Sequence, residues 1–164
     1  MIQVAIVTVS DSAVAGTRAD VSGPKLRERV EALGWTVAAQ ELVPDETEQI
    51  SALLRRLADS GRISAIFTTG GTGVAIRDVT PEATRAVIER EIPGVGEVMR
   101  SEGSKSTPLA ALSRALAGVR SRTLIVNFPG SPKGAVESFD AIVNLIPHIV
   151  DLLDGRTGHA DVPH

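Results

Sequence analysis

Cysteine and tyrosine are absent from this 164-residue chain, tryptophan occurs once and phenylalanine three times, an aromatic share of 2%. Without cysteine there are no disulfides, thiolate metal sites, iron–sulfur clusters or cysteine nucleophiles. The lack of aromatics means a core built from Ala, Val, Leu and Ile, and it removes the rings on which nucleic-acid modules stack bases. Charge of one sign is lacking too: 17 basic against 20 acidic residues give a net −3 and no basic surface. Nucleic acid is not an expected partner. Nor is there a long hydrophobic run. Val4–Val9 is too short to cross a membrane and lacks the charged start of a signal peptide, so a soluble, cytoplasmic protein with no membrane partner is expected. The histidines, His148, His159 and His164, show neither zinc-ligand spacing nor a Ser-His-Asp set.

What is present reads as one globular domain over 1–154 followed by a flexible tail over 155–164. Hydrophobic residues make up 43% and charged residues 23%, near the composition of ordinary globular domains. Apolar runs alternate with segments of helical period. Ile2–Val9, Trp35–Val43, Ile63–Thr69 and Thr123–Asn127 read as strands. Helices are expected from Ser22, an N-cap, to Leu33; after Asp45-Glu46-Thr47-Glu48, which resembles a capping box; from Thr80, an N-cap, to about Arg90; over Gly94–Glu102; and over Lys133–Leu153 with a bend at Pro147. Arg114–Val119 reads equally as a helix end or a strand. The alternation predicts an α/β sandwich with a mostly parallel sheet. In such sheets ligands lie beyond the carboxyl ends of the strands, where Ser10-Asp11, Thr68–Gly73 and Asn127–Ser131 all fall.

Thr69-Gly70-Gly71-Thr72-Gly73 suits phosphate. Glycines directly after a strand let backbone N–H groups approach an anion, and the threonine hydroxyls add donors. It is neither a Walker A loop nor GxGxxG. The alternative is a tight strand-to-helix turn. Asp78 follows closely, and a carboxylate beside bound phosphate needs a cation between them, so Asp78 reads as a Mg²⁺ ligand if the loop binds phosphate. Asp45 is either a helix cap or a second carboxylate on the same metal. Ser131 is either an N-cap or a phosphate donor, and Ser10 and Asp11 have a similar double reading.

Taken together, TVSDS, SGP, VPDE, TTGGTG followed by RDVTPEAT, PGVGEVMR, LSRALAG and NFPGSPKGAVE resemble, in that order, the MogA/MoaB family of molybdenum-cofactor biosynthesis proteins, to which the gephyrin G domain and its plant counterpart are related. The resemblance covers about residues 3–153. It implies a three-layer α/β/α sandwich with a mixed, mostly parallel sheet and an antiparallel edge strand, assembled as a trimer or hexamer. The activity implied is Mg²⁺-dependent transfer of AMP from ATP to the phosphate of molybdopterin, giving adenylyl-molybdopterin and pyrophosphate, with a partner enzyme then inserting molybdate. By the same resemblance Asp45 and Asp78 are the catalytic, Mg²⁺-linked aspartates. Gly70–Gly73 contact substrate phosphates, Ser104, Ser113 and Arg114 lie on the pterin side, and Pro129, Gly130 and Ser131 lie near the nucleotide. An alternative is a non-catalytic, MoaB-like oligomeric molybdopterin-binding protein. A third reading is a nucleotide-pyrophosphate hydrolase, since a related domain occurs in competence-damage-type proteins.

Overall fold

Three of the strands are buried along almost their whole length because both of their faces are covered. The computed structural model describes residues 1–156, and in it β1 (Gln3–Val9), β3 (Ala65–Thr69) and β6 (Thr123–Phe128) form the middle of a six-stranded sheet. The order is β2-β1-β3-β6-β5-β4, with β2 at Thr36–Val43, β4 at Arg90–Glu91 and β5 at Ala117–Arg120. β2, β1, β3 and β6 run parallel. β5 is antiparallel to β6, and β4 to β5. The sheet is therefore mixed and mostly parallel, but its antiparallel strand lies one place in from the edge, with short β4 outside it.

Alternate residues of each central strand feed two separate cores. On one face Val4, Ile6, Ala65, Phe67, Leu124, Val126 and Phe128 pack with α2 (Ser22–Ala32), α5 (Pro93–Gly103), α6 (Pro132–Ile142) and α7 (Ile146–Leu153). On the other, Ala5, Val7, Val9, Ile66 and Ile125 pack with α3 (Thr47–Asp59) and α4 (Thr80–Arg85). A short α1 spans Asp11–Ala15. Among the described residues no helix is long and apolar enough to cross a membrane. The expected tail lies outside the described residues apart from Gly155 and Arg156, the latter paired with Asp151 and Asp154.

Several element ends differ from the sequence reading for identifiable reasons. The helix expected to reach Arg90 stops at Arg85, because the β5 carbonyls of Val119 and Ala117 take the N–H groups of Glu89 and Ile92 and draw the chain into the sheet. Arg114–Val119 resolves as the entry into β5. The long C-terminal helix divides at a 3₁₀ turn over Val143–Leu145. The break precedes Pro147 because the proline ring would meet the carbonyl four residues back, at Val143, while in the first turn of α7 its missing N–H is harmless. Ser22, Thr80 and Asp45 do not cap their helices. Asp20, not Ser22, accepts the N–H of Gly23 (3.0 Å) at the start of α2. Thr80 is inside α4, its hydroxyl turned away to Gly70 O, and Asp45 lies outside the capping position of α3.

Candidate functional site

The glycine loop is shaped by contacts that only glycine permits. Gly70 has φ +105°, and a Cβ there would lie 2.2 Å from the Val9 carbonyl oxygen. Gly71 has φ +67°, and its Cβ would lie 2.3 Å from Thr80 Oγ1 and 3.1 Å from Asp45 Oδ1. The loop's carbonyls are all turned into the protein. Gly70 O accepts from Thr80 Oγ1 (2.9 Å), Gly71 O from Thr80 N (3.0 Å), Thr72 O from Arg114 N (2.8 Å) and Gly73 O from Arg114 Nε (2.7 Å). Among the described residues, the N–H groups of Gly71, Thr72 and Gly73 meet no protein acceptor. A run of free amides over a backbone with satisfied carbonyls has the form of an anion cradle.

Two carboxylates flank this cradle. Asp45, after β2, and Asp11, after β1, exchange bonds: Asp11 N donates to Asp45 Oδ2 (2.9 Å) and Asp45 N to Asp11 Oδ1 (3.0 Å). Arg77 grips Asp11 with Nε and Nη2 (2.6 and 3.1 Å) and reaches Glu46 with Nη2 (2.9 Å). That guanidinium holds the Asp11 carboxyl below the usual aspartate range. Burial, together with the charges of Asp11 and Asp78, pushes the Asp45 carboxyl upward against its hydrogen bond to Asp11. On the far side, Asp78 Oδ2 accepts Ala75 N (3.0 Å) and lies beside Gly73, whose added Cβ would be 2.8 Å away. Among the described residues no group of three or more His, Cys, Asp or Glu is placed to hold a metal. Two carboxylates beside free backbone amides do fit Mg²⁺, which commonly takes one or two carboxylates and completes its shell with water and phosphate oxygens.

Two cavities open on this edge and share a wall. The first, about 460 Å³, is lined by Thr72, Gly73, Met99, Thr107, Leu109, Ser113 and Pro129, among others. The second, about 380 Å³, is lined by Thr8, Ser10, Arg18, Asp20, Asp45, Thr69 and Gly70. Gly71, Asp78, Gly130 and Ser131 line both.

Not every expected site residue reaches a cavity wall. Ser104 is exposed, bonds Ser101 O and lines neither cavity. Arg114 reaches behind the cradle to Gly73 O and Asp78 O (2.7 Å each) and pairs with Glu82, so its guanidinium braces the loop from outside. Asp11 is likewise engaged behind Asp45. Ser131 and Ser10 both serve as N-caps, accepting from Gly134 N (3.0 Å) and Ala13 N (3.1 Å), and still line the cavities. The Thr69 hydroxyl is bonded to Pro129 O (2.8 Å). Local pattern does not single out Arg77 or Asp20: Arg77 adjoins Asp78 inside RDVTPEAT, Asp20 lies three residues before Gly23, and each sits beside a neighbour with a plainer role.

A family model described as a probable molybdopterin binding domain matches residues 5–148. The chain is 40% identical over 157 residues to a molybdopterin adenylyltransferase of Helicobacter pylori, with 94% of this chain and 89% of that one covered. It is 36% identical over 168 residues to the Escherichia coli protein of the same name, covering 94% and 86%. It also matches the molybdenum cofactor synthesis protein cinnamon of Drosophila melanogaster at 42% identity over 163 residues, spanning 27% of that longer protein's length. Among solved structures, the molybdopterin biosynthesis enzyme MoaB of Thermus thermophilus is 51% identical with a TM-score of 0.89, covering 94% and 98% of the two chains.

Proposed function

This chain belongs to the MogA/MoaB family, and from that premise we propose that it is a molybdopterin adenylyltransferase acting in molybdenum-cofactor biosynthesis, with ATP and molybdopterin as substrates and Mg²⁺ as cofactor. The observation that carries the reading is the pair of cavities meeting at Gly71, Asp78, Gly130 and Ser131, with Gly71, whose amide is free, in the shared wall and Thr72 and Gly73 beside it in the first cavity. Two substrates, one in each cavity, would present their phosphates to each other there.

The chemistry asks little of side chains. A molybdopterin phosphate oxygen, ionised at neutral pH, attacks the α-phosphorus of ATP; a P–O bond forms as the bond to pyrophosphate breaks. Positioning and neutralisation of charge dominate such a transfer. The amides of Gly71–Gly73 hold phosphate oxygens, and the Gly130–Ser131 turn closes the wall opposite. Asp45 and Asp78 would hold Mg²⁺, which when bound neutralises the charge that develops on the departing pyrophosphate. No histidine base or cysteine nucleophile is needed, which agrees with a chain that has three histidines and no cysteine.

Purified protein incubated with molybdopterin, ATP and Mg²⁺ is expected to form adenylyl-molybdopterin and pyrophosphate, read by mass. Binding of molybdopterin without adenylylated product would support the non-catalytic alternative, and cleavage of nucleotide without pterin a hydrolase. Asp78→Ala is expected to abolish turnover while the fold, read by circular dichroism, persists; retained turnover would remove Asp78 from the mechanism. We also infer a homo-oligomer, trimer or hexamer, passing its product to a molybdate-inserting enzyme. The exposure of Ile76 (97%), Val74 (69%) and Leu109 (68%) supports self-association, and sedimentation measures it.

A further inference from the structure

Arg77 lines neither cavity, yet it joins the loops that follow the first three strands of the chain. Its Nε and Nη2 clasp both oxygens of Asp11, after β1, and Nη2 also reaches Glu46, after β2, while Arg77 itself belongs to the loop after β3. Asp11 passes this restraint to Asp45 through the reciprocal bonds: Asp11 Oδ1 takes Asp45 N, and Asp11 N holds Asp45 Oδ2. The Asp45 carboxylate is thereby fixed at one oxygen. Its other oxygen, Oδ1, stands beside Gly71, where an added Cβ would lie only 3.1 Å from it. We infer that Arg77 is a positioning residue for adenylyl transfer, acting through Asp11 to aim Asp45 Oδ1 at the phosphate cradle. This inference rests on the function proposed above.

The physical necessity is one of charge. Asp11 and Asp45 are close enough to exchange two hydrogen bonds, and two carboxylates so near each other repel. Arg77 cancels the Asp11 charge and, being a planar fork, fixes its orientation as a lysine could not. With Arg77 removed, Asp11 becomes a bare anion behind Asp45; the reciprocal bonds loosen and Asp45 Oδ1 loses its aim. Neutralising Asp11 as well should relieve this, because an asparagine at the same place keeps a carbonyl oxygen for Asp45 N.

The test compares wild type, Arg77→Gln, Asp11→Asn and the double variant. For Arg77→Gln, kcat should fall roughly 10–100-fold, as when a residue orienting a metal ligand is lost. The Mg²⁺ concentration for half-maximal rate should rise, and KM for ATP at saturating Mg²⁺ should stay within about twofold. The double variant should recover part of the loss, a non-additive result that a shared path through Asp11 requires. Mg²⁺ and ADP titrated calorimetrically, against ADP with chelator, should show the same order of metal-dependent affinity without any turnover. An Arg77→Gln protein that merely melts lower with kcat unchanged would overturn the inference, as would a raised KM without rescue by Asp11→Asn. If wild type makes no product, the proposed activity fails, and the calorimetric order of the four proteins decides the positioning role by itself.

Discussion

At the scale of single residues, glycine geometry fixes where the cradle can form. Gly70 and Gly71 have left-handed φ, and at Gly70 a side chain would also strike backbone, the Val9 carbonyl at the end of β1. Gly70 N is meanwhile bonded to Phe128 O (3.1 Å), so the loop is pinned to strands on both sides and cannot withdraw. Gly70→Ala is therefore expected to destabilise by at least about 1–3 kcal/mol, the scale of one strained backbone conformation, measured by denaturant unfolding. The sequence announced these glycines plainly. It could not announce that Thr80, three residues past Arg77, would give its hydroxyl to Gly70 O rather than cap its own helix, because capping is a local pattern and that bond spans a fold-back of the chain.

Elements are tied to the site by polar groups buried between them. Asn127 on β6 donates to Thr68 Oγ1 on β3 (3.0 Å) and Thr84 Oγ1 on α4 (2.9 Å), all three residues being 0% exposed. Asn127→Ala would strip two buried hydroxyls of a donor, at a cost of about 1–3 kcal/mol for each group left unsatisfied, read again by unfolding. Arg114 joins α4 to the cradle through Glu82, whose carboxyl it holds below its ordinary 4.5. A carboxyl lowered in the folded state adds stability above its unfolded pKa, and that stability is lost as pH falls through the folded value. The pair is half-exposed, so the contribution is at most about 1 kcal/mol. The Tm of the native protein should exceed that of Glu82→Gln near neutral pH, and the gap should close as pH falls below 4.5.

Over the whole molecule, the few aromatics are concentrated rather than scattered. Phe67, Phe128 and Phe139 meet edge to face with centroids 5.5 to 6.0 Å apart, and Trp35 meets Phe139 at 6.2 Å. All lie on the face covered by α2, α5, α6 and α7, while the α3 and α4 face is purely aliphatic. Phe139 is the hub, contacting each of the other three rings. Phe139→Ala should cost about 3–5 kcal/mol, measured by unfolding. None of these rings reaches the cavity walls, which are lined instead by glycine backbone, hydroxyls, aliphatic side chains and charged groups such as Asp45 and Asp78.

By itself the sequence determined the alternating strands and helices, the buried character of β1, β3 and β6, and the glycine loop with Asp78 close behind it. Those features are written in local pattern: hydrophobic period, glycine after a strand, and motif order. Tertiary structure alone decided which polar side chains line the cavities and which brace the loops. Arg114 turned behind the cradle, Asp11 became a partner of Arg77 and Asp45, and Asp20 took the cap expected of Ser22. Such choices depend on which donors and acceptors strands distant in sequence bring within hydrogen-bond reach, and a buried polar group takes whichever partner the packing supplies.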